Sequence, residues 1–380
     1  MALNVVSSDR LSTNVKTSNL ATGLSSKVGE NKNLLINGAA QIHQRGGTTT
    51  SSGYLLDRWY FSTAGGTATC SQGTETSGTV YEKGLSKYIR ITNTANSTAV
   101  GSYRYILQRL EGQDIVNSGW NFKSASSYIT LSFWVRSSHA QNFYGYLRAL
   151  DSPDSKYLFD TGSLTADTWT KVTKKIPGYT SMAIDNDNTG AFEVLLSPFW
   201  GTNFTASPSL NTWAAWNSGE RAPDYATTWA AANGATFDIT GVQLEVGETA
   251  TEFEHSSYGD ELYRCQRYYE QFNSEGQAEA MFAAGYFESE TVHKSLLTYV
   301  DKRAAPTITF SAANSFSVIN TGAMPAGSSI GTIKLMKKAA SLTITLSTSI
   351  SGSDGTAGVL SQVGAGSGTP EATIKVDAEI

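Results

Sequence analysis

Tyr128-Ile129-Thr130-Leu131-Ser132-Phe133-Trp134-Val135-Arg136 alternates without a break. Ile129, Leu131, Phe133 and Val135 share one face; Tyr128, Thr130, Ser132, Trp134 and Arg136 share the other. That is the period of a strand with one side in a core. The polar side carries an indole, so Trp134 need not belong to that core. Outward from this stretch, similar runs recur at Asn142 to Leu150, Trp169 to Ile176, Ala191 to Leu196 and Thr236 to Leu244, with earlier strand signals at Asn33 to Gly38 and Tyr88 to Ile91. Gly, Asn, Ser and Thr separate them, at a spacing that predicts an antiparallel sandwich or jelly roll with little helix before residue 255.

The period then switches. Leu262, Cys265, Tyr269 and Phe272 fall at offsets of three and four behind Ser257-x-x-Asp260, which predicts one helix of about four turns ending before Gly276. Strands resume at Met281 to Phe287, Lys294 to Val300, Thr307 to Phe310, Ile330 to Met336, Leu342 to Leu346 and Thr373 to Asp377, and the Ser/Gly tract Ser347 to Thr369 reads as a long loop or hairpin tip. The expected fold is all-β: a jelly-roll-like antiparallel β-sandwich over 31–255, one connecting helix over 256–275, and a second, smaller β-sandwich domain over 276–380. An extended N-terminal arm, 1–30, precedes them. Its scattered aliphatics Val5, Val6, Leu11, Val15 and Leu20 have no period, so the arm is either a frayed terminus or a docking segment that orders on a partner.

The chain has 380 residues, of which 16% are charged and 11% aromatic, with a net charge of −5. Disorder is excluded by the apolar content, and nucleic-acid binding is disfavoured because phosphate neutralisation needs clustered cations. No run of 18 apolar residues and no signal peptide is evident, so a soluble chain without membrane insertion is expected. Cys70 and Cys265 are too few for a disulfide framework and are expected reduced and buried.

Catalytic signatures are sparse. His43, His139, His255 and His293 form no metal-ligand spacing, and the Walker and dinucleotide fingerprints are absent. Gly327-Ser328-Ser329-Ile330-Gly331 matches G-x-S-x-G, but a strand follows where a nucleophile elbow needs a helix. Asp151, Asp154, Asp160, Asp185, Asp187 and Glu193 are available for a glycosidase pair, though solvated loop acids are the simpler expectation. Asp185-Asn186-Asp187-Asn188 has the oxygen density of a Ca²⁺ loop without the Gly and distal Glu of an EF-hand, so a turn and no cofactor are expected, with structural calcium as the alternative. Phe199 to Trp229 holds four of the eight tryptophans. Trp200, Trp213, Trp216, Tyr225 and Trp229 amid Asn, Ser and Thr are the candidate glycan-binding residues, because flat rings stack on sugars while neighbours bond the hydroxyls; core or subunit packing is the competing reading.

Three segments act in combination: Asn33-Leu34-Leu35-Ile36-Asn37-Gly38 with Gln44-Arg45-Gly46 and Asp57-Arg58-Trp59; Ser132-Phe133-Trp134-Val135-Arg136; and Phe237 to Gly247 running into Phe253-Glu254-His255, Tyr258-Gly259 and Cys265-Gln266-Arg267-Tyr268-Tyr269. This set resembles a family of β-rich tail and tail-fibre proteins of tailed bacteriophages and prophages, whose sandwich is similar to carbohydrate-binding modules. It spans residues 31 to 272, and Arg303 to Thr307 and Asp377-Ala378-Glu379 look like the second part of such proteins. The motifs read as architecture, and no catalytic residue carries over, so no enzyme is expected. The resemblance implies a virion component, tail fibre or receptor-binding protein, made in the bacterial host cytoplasm and commonly homotrimeric. Its arm would dock on a tail hub or adaptor, and its loops would contact host-surface glycan or protein. The competing readings are a capsid decoration or head-fibre protein without receptor contact, and a glycan depolymerase.

Overall fold

The computed structural model describes residues 32–226, 228–274, 277, 279–320, 324–363 and 371–380. The N-terminal arm, with Val5, Val6, Leu11, Val15 and Leu20, lies outside the described residues, as does Gly276. The stretch that opened the sequence reading is the strand Tyr128–Ser137, hydrogen-bonded between Thr236–Val246 and Thr170–Pro177. From edge to edge its six-stranded sheet runs Thr48–Thr49, Thr67–Thr74, Lys87–Ala95, Thr236–Val246, Tyr128–Ser137, Thr170–Pro177. A seven-stranded sheet faces it, ordered Trp213–Ala215, Ser155–Ser163, Asn142–Ala149, Gly190–Trp200, Tyr103–Glu111, Tyr60–Ala64, Gly53–Tyr54.

Between the sheets lie the alternate residues that the period placed inside. Ile129, Leu131, Phe133 and Val135 are fully buried with Ile91, Phe61, Ile106, Phe143 and Phe159. Phe133 meets Phe159 with ring centroids 6.2 Å apart, and Phe143 meets Phe237 at 4.8 Å, so aromatic pairs bridge the layers. Each such side chain contributes roughly 1.5–3 kcal/mol on burial.

The C-terminal part is a second sandwich. Its six-stranded sheet runs Phe316–Ile319, Ala357–Gln362, Met281–Ser289, Val292–Thr298, Ala339–Leu346, Gly327–Leu335, and a three-stranded sheet runs Tyr269–Asn273, Thr373–Asp377, Thr307–Phe310. Phe287, Leu297, Phe316, Leu342, Leu360, Ile374 and Val376 form its core.

Four expectations change. Asn33 to Gly38 is not a strand but a bent segment: Leu34 N–H donates to Leu244 and Val242 N–H donates to Gly38, bracing the irregularity between Thr240 and Gln243 in the central strand. The helix spans Tyr258–Gln266, nine residues rather than four turns, while Tyr269 and Phe272 lie on a strand. Ser257 caps it as expected, its hydroxyl accepting the Asp260 N–H at 3.1 Å. The sequence reading did not include the strands Tyr60–Ala64, Thr67–Thr74, Tyr103–Glu111 and Ser155–Ser163 in the first sandwich and Phe316–Ile319 in the second. The Ser/Gly tract contains the strand Ala357–Gln362, whose inward Leu360 is fully buried.

The two sandwiches meet over a polar joint built by the motif residues. Gln44 donates from its backbone and side-chain amides to Asp57, at 2.8 and 2.9 Å. The Arg45 guanidinium lies 3.5 Å from the Tyr269 ring centroid and that of Arg58 3.5 Å from Tyr268. Arg58, 1% exposed, donates to Glu379, and Arg303 donates to the Ala378 and Glu379 carbonyls. Cys265 is buried on the inner face of the helix beside Ile36, Ile42 and Tyr268, while Cys70 is buried in the first sandwich; both thiols are free.

Candidate functional site

The aromatic segment Phe199 to Trp229 does not present a stacking surface. Trp200 is 2% exposed, Trp213 and Tyr225 9% and Trp229 0%. Trp200 stacks on Tyr105 at 5.1 Å, Tyr225 donates its hydroxyl to Ser197, Trp213 donates to Pro177 and Trp229 to Thr236. Buried in this way, the four rings present no face on which a sugar could stack. Trp216 is half-buried, edge-on to Tyr146 and covered by the Arg148 guanidinium at 3.7 Å. The candidate glycan site read from this segment is therefore corrected: the segment packs its rings over and into the seven-stranded sheet.

A groove of about 460 Å³ opens instead on the outward face of the six-stranded sheet. Its floor is Trp134 and Ser132, which the alternation put outside the core, with Leu85 beside them. Lys171 stands directly across from Trp134 on the neighbouring strand. Lys83 enters from the 3₁₀ turn Tyr81–Lys83, and Glu252, Phe253 and His255 from the segment that follows the central strand. Phe253 and His255 meet edge to face at 5.1 Å.

Two glycines set its shape. Gly241 has φ of 60°, and a Cβ there would lie 2.7 Å from Leu85 Cδ1 and 3.2 Å from Trp134 Cδ1. Gly84 has φ of 76°, and a Cβ there would stand 2.9 Å from His255 Cε1. Both need the left-handed conformation that glycine adopts without a steric penalty. Trp134, Trp169 and Phe253 pack together on Ala39, Val80 and Leu85.

Beside the groove the charges are already paired. Asp238, fully buried, accepts from Arg90 at 2.7 and 2.8 Å and from Arg136 at 3.0 Å, and Arg136 also reaches Glu75 at 3.2 Å. The Arg136 guanidinium lies 4.5 Å from the Trp169 ring centroid. These contacts with Asp238 and Glu75 hold the Arg90 and Arg136 pKa values above the ordinary arginine range; for Arg136 they outweigh burial, the largest single influence. The result is a rigid block of rings and guanidiniums against which the groove is set.

Chemically, the groove combines apolar rings with a hydroxyl, two ammonium groups, an imidazole and one carboxylate, within the size range of small-ligand sites, roughly 300–1,000 Å³. Glycoside hydrolysis uses a pair of carboxyl groups, and among the described lining residues Glu252 is the one carboxylate. The acids considered from sequence lie elsewhere. Asp154 pairs with Arg148, Asp160 with Lys174, and Glu193 with Arg109 and Arg148. Asp151 accepts the Asp185 N–H, and Asp187 accepts from Thr189. Among the described residues no group of three His, Cys, Asp or Glu side chains is placed to hold a metal ion. Ser329, in the G-x-S-x-G match, lies exposed on the edge strand Gly327–Leu335.

No family model matches the chain, and no curated protein matches it. Among solved structures, the enzymatically active domain of tailspike protein 4 of bacteriophage CBA120 is 11% identical with a TM-score of 0.31, the match covering 57% of this chain and 22% of that one. The N-terminal cellulose-binding domain of Cellulomonas fimi β-1,4-glucanase C is 10% identical over 55% of this chain and 97% of that one, with a TM-score of 0.28. The family 11 carbohydrate-binding module of Clostridium thermocellum is 12% identical over 53% and 99%, with a TM-score of 0.25. What the groove takes is argued from its own residues.

Proposed function

We propose that this chain is a glycan-binding virion protein of a tailed phage, a tail fibre or receptor-binding protein that holds host-surface saccharide in the groove over Trp134. The observation that carries the binding part is the groove: an indole and a phenyl ring beside hydroxyl, ammonium, imidazole and carboxylate groups, braced by paired charges. The phage part rests on the motif set over residues 31 to 272, five of whose residues, Ser132, Trp134, Gly241, Phe253 and His255, line the groove. The reading is of binding without turnover. Arm residues 1–30 would attach the protein to the particle, and trimers repeated around a tail would turn weak single contacts into firm attachment.

Two measurements test it. Glycan capture by the full chain should be lost in Trp134→Ala with the fold retained by circular dichroism; undiminished capture sinks the groove. Immunogold labelling of particles should decorate the tail periphery, and label on the head would replace this reading with a decoration protein.

A further inference from the structure

We propose that the groove selects acidic saccharides, with Lys83 and Lys171 pairing to an anionic substituent of the sugar that stacks on Trp134; this rests on the glycan-binding reading above. The argument is an inventory of charge. Among the described residues, the other cations on this face of the sheet are held by hydrogen-bonding or ion-pair partners. Arg90 and Arg136 are held by Asp238 and Glu75, and Lys87 donates to Thr74. Of the three lysines on the edge strand Thr170–Pro177, Lys174 pairs with Asp160 and Lys175 with Glu248. Lys171 and Lys83 are exposed and form no ion pair among the described residues, yet both line the same groove.

Glu252 opposes the two lysines with one negative charge, so the lining carries a net positive charge in a chain whose net charge is −5. Two further acids nearby turn their carboxylates to other donors: Glu254 accepts the Lys32 and Asn33 backbone N–H groups, and Glu245 accepts from Thr251. Unpaired ammonium groups beside an aromatic floor bind best a ligand that has a flat apolar ring face and an anion on its edge. A uronic acid, a sialic acid or a phosphorylated sugar has both, whereas a neutral sugar leaves the two charges unanswered. The source of the anion, carboxylate or phosphate, is left to the probe.

The test offers the full chain an array of oligosaccharides from bacterial surface polysaccharides, each in native form, with carboxyls reduced to alcohols, and with phosphates removed. The expected result is that retained glycans are acidic and that stripping the relevant anion weakens binding roughly tenfold or more. Added salt should weaken binding to the native form and leave the stripped form unchanged. The double variant Lys83→Ala/Lys171→Ala should keep its melting temperature and bind native and stripped forms equally, whereas Trp134→Ala should bind neither. Retention of neutral glycans, with stripping and the lysine changes without effect, overturns the acidic assignment and leaves the glycan reading standing. Absence of any Trp134-dependent capture overturns both.

Discussion

Trp134 and Trp200 carry the same side chain to opposite ends. Trp200 lies under 5% exposure with its face against Tyr105, and Trp134 lies half-buried at the floor of a groove. Density of indoles along the chain was therefore a poor guide, because Trp200, Trp213 and Trp229 sit on separate elements that each turn the ring inward, whereas strict alternation fixes direction. Trp134 was legible in that sense: its strand neighbours Phe133 and Val135 own the core side. Trp200→Ala should cost about 3–5 kcal/mol in urea unfolding, and Trp134→Ala markedly less; equal losses would mean that both rings are structural. Gly241→Ala imposes a left-handed alanine and pushes on Leu85 and Trp134. It should destabilise by about 1–3 kcal/mol and lower glycan affinity as the indole shifts, read by unfolding and binding in parallel.

Among the elements, the strand of clearest alternation, Tyr128 to Arg136, was placed from sequence to within a residue, whereas weaker runs were cut short: Ala191 to Leu196 continues to Trp200, and Tyr88 to Ile91 continues to Ala95. The offsets of three and four that extended the helix to Phe272 arise because Tyr268 and Tyr269 are both buried, one under Arg58 and one under Arg45, where the chain leaves the helix and enters a strand. Ala357–Gln362 was hidden because Gly358 and Gln362 flank Leu360 on its inward face, so only one large apolar residue marks that side. The groove was only partly legible, since residues 83, 171 and 253 are joined by folding and no spacing relates them. The same elements make a test of the joint. Arg58→Leu leaves Glu379 buried, with Arg45 at 3.4 Å as its remaining cation. The loss should be about 3–5 kcal/mol, and part of it should return in Arg58→Leu/Glu379→Leu, because removing both charges abolishes the uncompensated burial. No recovery in the double variant would show that packing on Tyr268, not charge, carries the joint.

For the whole molecule, acid is the informative stress. His293, fully buried in the C-terminal sandwich and edge-on to Phe287, has its pKa lowered from 6.5 by burial, which outweighs the backbone contact from Gly358. The folded state thus refuses a proton that the unfolded chain accepts. Its contribution to stability is complete above pH 6.5 and declines as pH falls below that value towards the folded pKa. Asp57 works in the opposite direction, since burial raises its pKa above 3.8 and the folded chain then holds the proton more tightly between those values. Calorimetry should therefore show a smaller fall in melting temperature between about pH 7.5 and about pH 5.5 for His293→Phe than for the unaltered chain. An identical fall would remove His293 from the account.

The two cysteines bear on how such experiments can be read. Burial pushes the Cys70 thiol up to about 12 and Cys265 well above its ordinary value, so neither forms much thiolate at neutral pH and neither is reachable in the folded state. Thiol-directed dyes react through the thiolate. A single cysteine introduced at the rim of the groove would thus be the one labelled position among the described residues, allowing fluorescence or spin reporters to follow ligand entry without stripping the native sulfurs from the core.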